Sequence, residues 1–202
     1  MSDLYARADQ AIKTMNRANL KAFGKLKLAK WDELNVVREV AEVYDDSVER
    51  AKREYLAVAR DAFETAARET KKKPDADDFI TMLWVMEMLE EVDPVTLYAF
   101  LPETERKKQR LVEALAVAHN KNQEVDRALR YWTQQVGQYA DNSVFYARLD
   151  AFRAADVKLV RWVSQKDERV CEDCEELDDR VFPIDEVPPP PHWGCRCHLV
   201  PV

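Results

Sequence analysis

Glycine is scarce in this 202-residue chain, with three residues at positions 24, 137 and 194. So few argue against a large β-barrel or sandwich, whose many tight turns call for backbone at positive φ. They also leave no P-loop or dinucleotide-binding glycine pattern. Histidine is equally rare, at 119, 192 and 198, and no Ser/His/Asp arrangement can be built from these settings. The zinc-protease pattern H-E-x-x-H and the zinc-deaminase signature are both missing. No run approaches eighteen apolar residues, so no membrane span is expected. The first residues, Met-Ser-Asp-Leu-Tyr-Ala-Arg, lack the apolar core of a signal peptide, which points to synthesis and use in the cytosol. Cysteine is absent from the first 170 residues.

Charge is plentiful but uneven. The chain carries a net −7, yet residues 1–30 hold seven Lys/Arg against two Asp, and residues 161–202 hold five Lys/Arg against ten Asp/Glu. A globally acidic protein is a poor candidate for wrapping duplex DNA, where cations meeting phosphates supply much of the affinity. The basic N-terminal helix could still touch nucleic acid or an acidic surface. A solvated charged face is the plainer reading.

Most of the chain has helical periodicity. Leu4, Ala8, Ile12, Met15, Asn19, Ala22, Phe23 and Leu26 form one stripe over residues 3–28. A much longer helix is predicted from Asp32 to Thr70, where Val37, Val40, Tyr44, Val48, Ala51, Tyr55, Val58, Ala62 and Ala66 recur at three- and four-residue steps. Its narrow, Ala-rich stripe suits close packing against partner helices. Lys71-Lys72-Lys73-Pro74 is its expected stop. Phe79–Glu91 reads as an almost wholly apolar helix in which Met82, Met86 and Met88 surround Trp84, either as core filling or as an adaptable surface. A short helix around Leu97, Tyr98 and Phe100 follows, punctuated by Pro94 and Pro102. Helices are then expected over 103–120, 124–140 and 144–155, the last capped by Asp141-Asn142-Ser143. His119 reads as a surface group near a helix end.

The texture changes at Val157. Residues 157–163, 180–184 and 198–202 read as three strands. Six of nine prolines fall in the last twenty residues, and Pro188–Pro191 form an extended strut ahead of His192. The expected fold is mainly α, with long antiparallel helices over 1–156 and a small α+β, zinc-stapled module over 157–202.

All four cysteines lie in the window Cys171-Glu-Asp-Cys174 … His192-Trp-Gly-Cys195-Arg-Cys197. C-x2-C followed by H-x2-C is metal-ligand spacing, because one tight turn aims both side chains at a common centre. A closed structural zinc site takes four ligands, and five are offered. Cys171, Cys174, His192 and Cys195 form the first choice, with Cys197 the rival for the fourth place. His198 would point the other way on a strand. The module is too small to hold itself folded by its core, which favours structural Zn2+. Disulfide pairs and a catalytic metal are the alternatives. Glu172, Asp173, Glu175 and Glu176 read as solvated turn and helix residues.

The stretch Trp162-x4-Asp167-Glu168-Arg169-Val170-Cys171-x2-Cys174-x2-Leu177-Asp178-Asp179-x-Val181-Phe182, then Pro188–Pro191, His192 and Cys195-Arg196-Cys197, resembles the C-terminal module of the Mu F-like phage minor head proteins, the phage head morphogenesis family. The resemblance covers about 40 of the 202 residues. Asp179 stands where that family usually has glycine; Asp tolerates the left-handed conformation better than most residues, so the turn should survive. The resemblance implies a non-enzymatic minor capsid component made in the bacterial cytoplasm and carried in the virion, at the portal vertex or head interior, in several copies. Its implied partners are the phage portal protein and capsid components, and the basic N-terminal helix offers a contact to packaged DNA. It would act in head assembly, genome packaging or ejection. The alternative is a host zinc-binding interaction or nucleic-acid-binding protein.

Overall fold

The computed structural model describes residues 4–27, 33–70, 100–166, 170–192 and 194–202. The expected stop at Lys71–Pro74, the helix at 79–91, the short helix near Leu97 and Tyr98, and the motif residues Asp167, Glu168, Arg169 and Trp193 lie outside them. Among the described residues, long helices come first: α1 Ala6–Leu26, α2 Glu33–Glu69, α3 Phe100–Val117 and α4 Lys121–Ala154. Then follow β1 Leu159–Val163, α5 Glu172–Leu177, β2 Val181–Pro183, a 3-10 turn Ile184–Glu186, and β3 His198–Pro201. No described helix is long and apolar enough to cross a membrane.

Two sequence expectations are corrected here. Asp141-Asn142-Ser143 does not break the chain into two helices, because α4 runs through it. Asn142 and Ser143 are buried, and the Ser143 hydroxyl donates to the Tyr139 carbonyl at 2.8 Å, one turn back, instead of capping a new helix. The apolar stripe continues across the triplet through Val136, Ala140, Val144 and Phe145, so burial overrides a local capping signal. In α2, Val36 rather than Val37 belongs to the buried stripe; Val37 is 54% exposed. At α3, Pro102 sits in the first turn, where its missing N–H costs nothing because those donors have no helical partner anyway.

The chain divides into two compact units. One draws on residues 12–54 and 86–136. In it α1 and α2 run antiparallel, since Asn19 meets Arg50 and Phe23 meets Tyr44. Phe23, Tyr44 and Trp132 stack edge to face at 5.4 and 5.5 Å between centroids. Such pairs add about 0.5–1.5 kcal/mol beyond area burial.

The other unit draws on residues 1–11, 55–85 and 137–202. Within it α2 and α4 run in the same direction, with Tyr55 against Tyr139 and Glu69 against Arg148. This parallel pair is a finding that the expectation of antiparallel helices did not include. The sheet is antiparallel in the order β2-β1-β3. Alternation places Val160 and Trp162 of β1 inward, and the Trp162 ring lies 5.1 Å from Phe145 of α4.

Both edges of this small sheet are guarded. In β2 the edge is interrupted by Pro183, which has no N–H to offer. Trp162 and Leu199 face each other between the β1–β3 hydrogen-bonded pairs, so the Leu199 carbonyl points away from β1. Arg148, 1% exposed, takes that carbonyl with Nε at 3.1 Å and Nη2 at 2.7 Å, and its Nη2 also pairs with Glu69 Oε2 at 2.6 Å.

The turn between α5 and β2 explains two motif residues. Asp178 Oδ1 accepts from the Ser164 N–H at 2.8 Å, and its other oxygen pairs with Lys166 at 3.3 Å. The Ser164 N–H holds the Asp178 carboxyl below its ordinary range, so this support is full above that range and lost on acidification through it. Asp179 adopts φ 61, the left-handed conformation foreseen for it. Replacing it by glycine relieves a small backbone cost. Asp179→Gly is expected to raise stability by about 0.5–1 kcal/mol in urea denaturation, since its exposed contact with Arg161 at 3.9 Å contributes little.

Candidate metal centre

The cysteine window folds as two short turns that face each other. In the first, the Cys171 carbonyl accepts from the Cys174 and Glu175 N–H groups at 3.1 and 3.0 Å, opening α5 with Cys171 as its extended N-cap. Glu172, Asp173 and Glu175 fall in the first turn of α5, where carboxylates favour the helix dipole. All four acidic residues of this helix are exposed, as expected for solvated groups. In the second turn, the His192 carbonyl accepts from the Cys195 N–H at 3.3 Å, and Gly194 supplies the positive φ of 72 that the turn needs. Between the two, Val187 leaves the 3-10 turn at φ −64 and ψ 121, near polyproline II values, and Pro188–Pro190 carry neither helix nor strand on the way to His192.

These turns bring all five sequence-predicted residues together around Cys174. The ligand atoms of Cys171, Cys174 and His192 lie within 4.8 Å of one another, and so do those of Cys174, Cys195 and Cys197. Cys174 Sγ stands 3.7 Å from Cys195 Sγ and 3.2 Å from His192 Nε2. A disulfide needs about 2.05 Å between sulfurs, and the four cysteines are free thiols. Two thiolates on one tetrahedral zinc, each bonded at about 2.3 Å, stand about 3.8 Å apart. The observed spacing is that of a tetrahedron's edge. The donor set therefore fits a soft or borderline cation, and the residues could hold a metal ion. His198 belongs to neither group, and His119 lies far along the chain near the end of α3.

Burial and mutual contact set the chemistry of the sulfurs. Cys174, Cys195 and Cys197 are all buried, whereas Cys171 and His192 are half-buried. Burial, reinforced by contacts with Cys197 and Cys171, pushes the Cys174 thiol up to about 12. Cys195 is also pushed up, because it donates its proton to Cys197 and is itself desolvated. Accepting that hydrogen bond draws Cys197 down to about 6 against its own burial. Thiols that share protons in this way can release them to a cation, since metal binding and deprotonation are coupled.

One feature of this centre was invisible in the sequence. Tyr5, just ahead of α1 and 1% exposed, donates its hydroxyl to the Cys197 carbonyl at 2.8 Å. The N-terminal segment thus braces the second cysteine turn from 192 positions away. Tyr5→Phe keeps the ring and leaves a buried carbonyl without its donor. It is expected to cost about 1–3 kcal/mol by chemical denaturation of the metal-loaded protein.

Residues 112–200 match the model of the family described as Phage Mu protein F like protein. This segment is similar to the Mu F-like family. The match begins within α3 and takes in the whole of α4, so the Mu F-like segment reaches well upstream of the cysteine motif. No curated protein and no solved structure matches the chain.

Proposed function

We propose that this chain is a non-enzymatic minor head protein of a phage, docked at the portal vertex, whose C-terminal module is held by one structural zinc ion. The reading is carried by the coincidence of two findings in one segment: a match to the Phage Mu protein F like family and a cluster of four thiols, three of them buried, and one half-buried imidazole. Zinc is the natural occupant, because thiolate and imidazole donors on a tetrahedral edge suit a cation with no geometric demands of its own. Cys171, Cys174, His192, Cys195 and Cys197 are its candidate ligands. As a staple the ion would supply about 10–16 kcal/mol of apparent binding, which in a small module is folding free energy.

The functional surfaces of such a protein are then the helices and the outer face of the module, which present docking area to portal and capsid subunits in several copies per head. A role in assembly, packaging or ejection follows from that location, and the basic α1 offers a contact to packaged DNA. Coexpression with the portal protein of the same phage should yield a complex that survives size-exclusion chromatography. A chain that never associates with portal or heads would sink the reading.

A further inference from the structure

The cysteine cluster borders a small cavity of about 60 Å³, lined by residues that include Gln165, Cys174, His192, Cys197, the cationic Arg196 and, from α4, Asp141. Asp141 lies thirty residues ahead of the cysteine window, yet the second cysteine turn runs directly over it. A Cβ built on Gly194 would stand 4.0 Å from Asp141 Oδ2. Among the described residues it is the one carboxylate in that wall. Asp178 binds the Ser164 N–H and Lys166 instead, and the acidic residues of α5 are exposed. The imidazole of His192 has Nε2 3.2 Å from Cys174 Sγ, so this nitrogen faces the sulfurs. Nδ1 is then the ring nitrogen on the side away from that contact.

We propose that Asp141 is a positioning residue of the metal centre, accepting a hydrogen bond from His192 Nδ1–H, directly or through one water held in the cavity they share. The inference rests on the metal reading above. A metal-bound imidazole gains from a carboxylate on its far nitrogen in two ways. The carboxylate keeps the proton on Nδ1, which leaves Nε2 as the lone-pair donor, and it raises the basicity of that donor. The cavity exceeds the roughly 10–15 Å³ of probe volume that one water needs, so a bridging water has room. α4 thereby becomes part of the centre.

The test uses the full chain, with zinc removed and returned, and affinity read by competition with a chromophoric chelator. Asp141→Ala is expected to weaken zinc by about 10–100-fold, and Asp141→Asn, whose amide oxygen still accepts, to recover most of that loss. On a His192→Cys background, which keeps a ligand but removes the imidazole, Asp141→Ala should change affinity by less than about twofold. An unchanged affinity in Asp141→Ala, or an equal loss in the His192→Cys background, would overturn the proposal. So would nitrogen NMR of the zinc-loaded wild type showing metal on Nδ1 rather than Nε2, a measurement that needs no variant. A wild-type chain that takes up no zinc instead defeats the metal reading itself, so the two failures are distinct.

Discussion

Cys174→Ser should abolish metal binding and unfold the chain from about residue 160 onward while leaving most of the helical signal in place. Cys174 is the residue shared by both ligand groups, 3.2 Å from His192 Nε2 and 3.7 Å from Cys195 Sγ. Cys171 and Cys197 each belong to one group, so their loss leaves more of the cluster intact. Serine is nearly the same size, and the substitution removes a soft ligand with little change in packing. The energy at stake is the largest in the module, about 10–16 kcal/mol of apparent zinc affinity. Far-ultraviolet circular dichroism should therefore fall slightly, whereas near-ultraviolet signal from Trp162, packed on Phe145 beside the module, should collapse. A variant that keeps full metal occupancy would remove Cys174 from the centre.

Arg148→Leu should be the most damaging substitution outside the cysteine window, at about 3–5 kcal/mol. The guanidinium is almost fully buried, and it satisfies the outward Leu199 carbonyl twice while pairing with Glu69. Leucine fills part of the volume but leaves the edge of β3 without a donor. Glu69 is 37% exposed and can rehydrate once its partner is gone, which places the expected cost toward the lower end of that range. Arg148→Lys should recover little of the loss, because one ammonium cannot reproduce the planar fork that reaches a carbonyl and a carboxylate together. Urea denaturation of the metal-loaded variants measures both, and a loss below about 1 kcal/mol for Arg148→Leu would show that the edge is held by something else.

The local grammar of this chain was largely readable. Periodicity located α1 and α2 within a few residues, and C-x2-C with H-x2-C identified the five residues that the fold gathers around Cys174. The left-handed turn at Asp179 was legible only through the family resemblance, which puts glycine at that position, and the positive φ of Asp156 and Lys166 was not foreseen. What escaped was long-range. Ser143 looks like a cap when read alone, and only the buried stripe on both sides makes it an interior residue of α4. Nothing in the spacing of Tyr5 or Arg148 announces that one braces the Cys197 carbonyl and the other seals the edge of β3, because both contacts join segments far apart in sequence. The motif itself is confined to the cysteine window and its flanks, whereas the family match begins at residue 112 and takes in α4, whose Phe145 packs on Trp162.

A catalytic metal remains the sharpest rival chemistry, and it would require an open coordination position. Cobalt substitution separates the two cases, because four protein ligands and no exchangeable water describe a closed staple. The most direct measurement of the central claim is simpler still: the zinc-to-protein ratio of the native chain, by elemental analysis, with thiols titrated in parallel without reductant. The proposed zinc staple predicts one zinc per chain and no disulfide. A metal-free protein with its cysteines oxidised in pairs would contradict it.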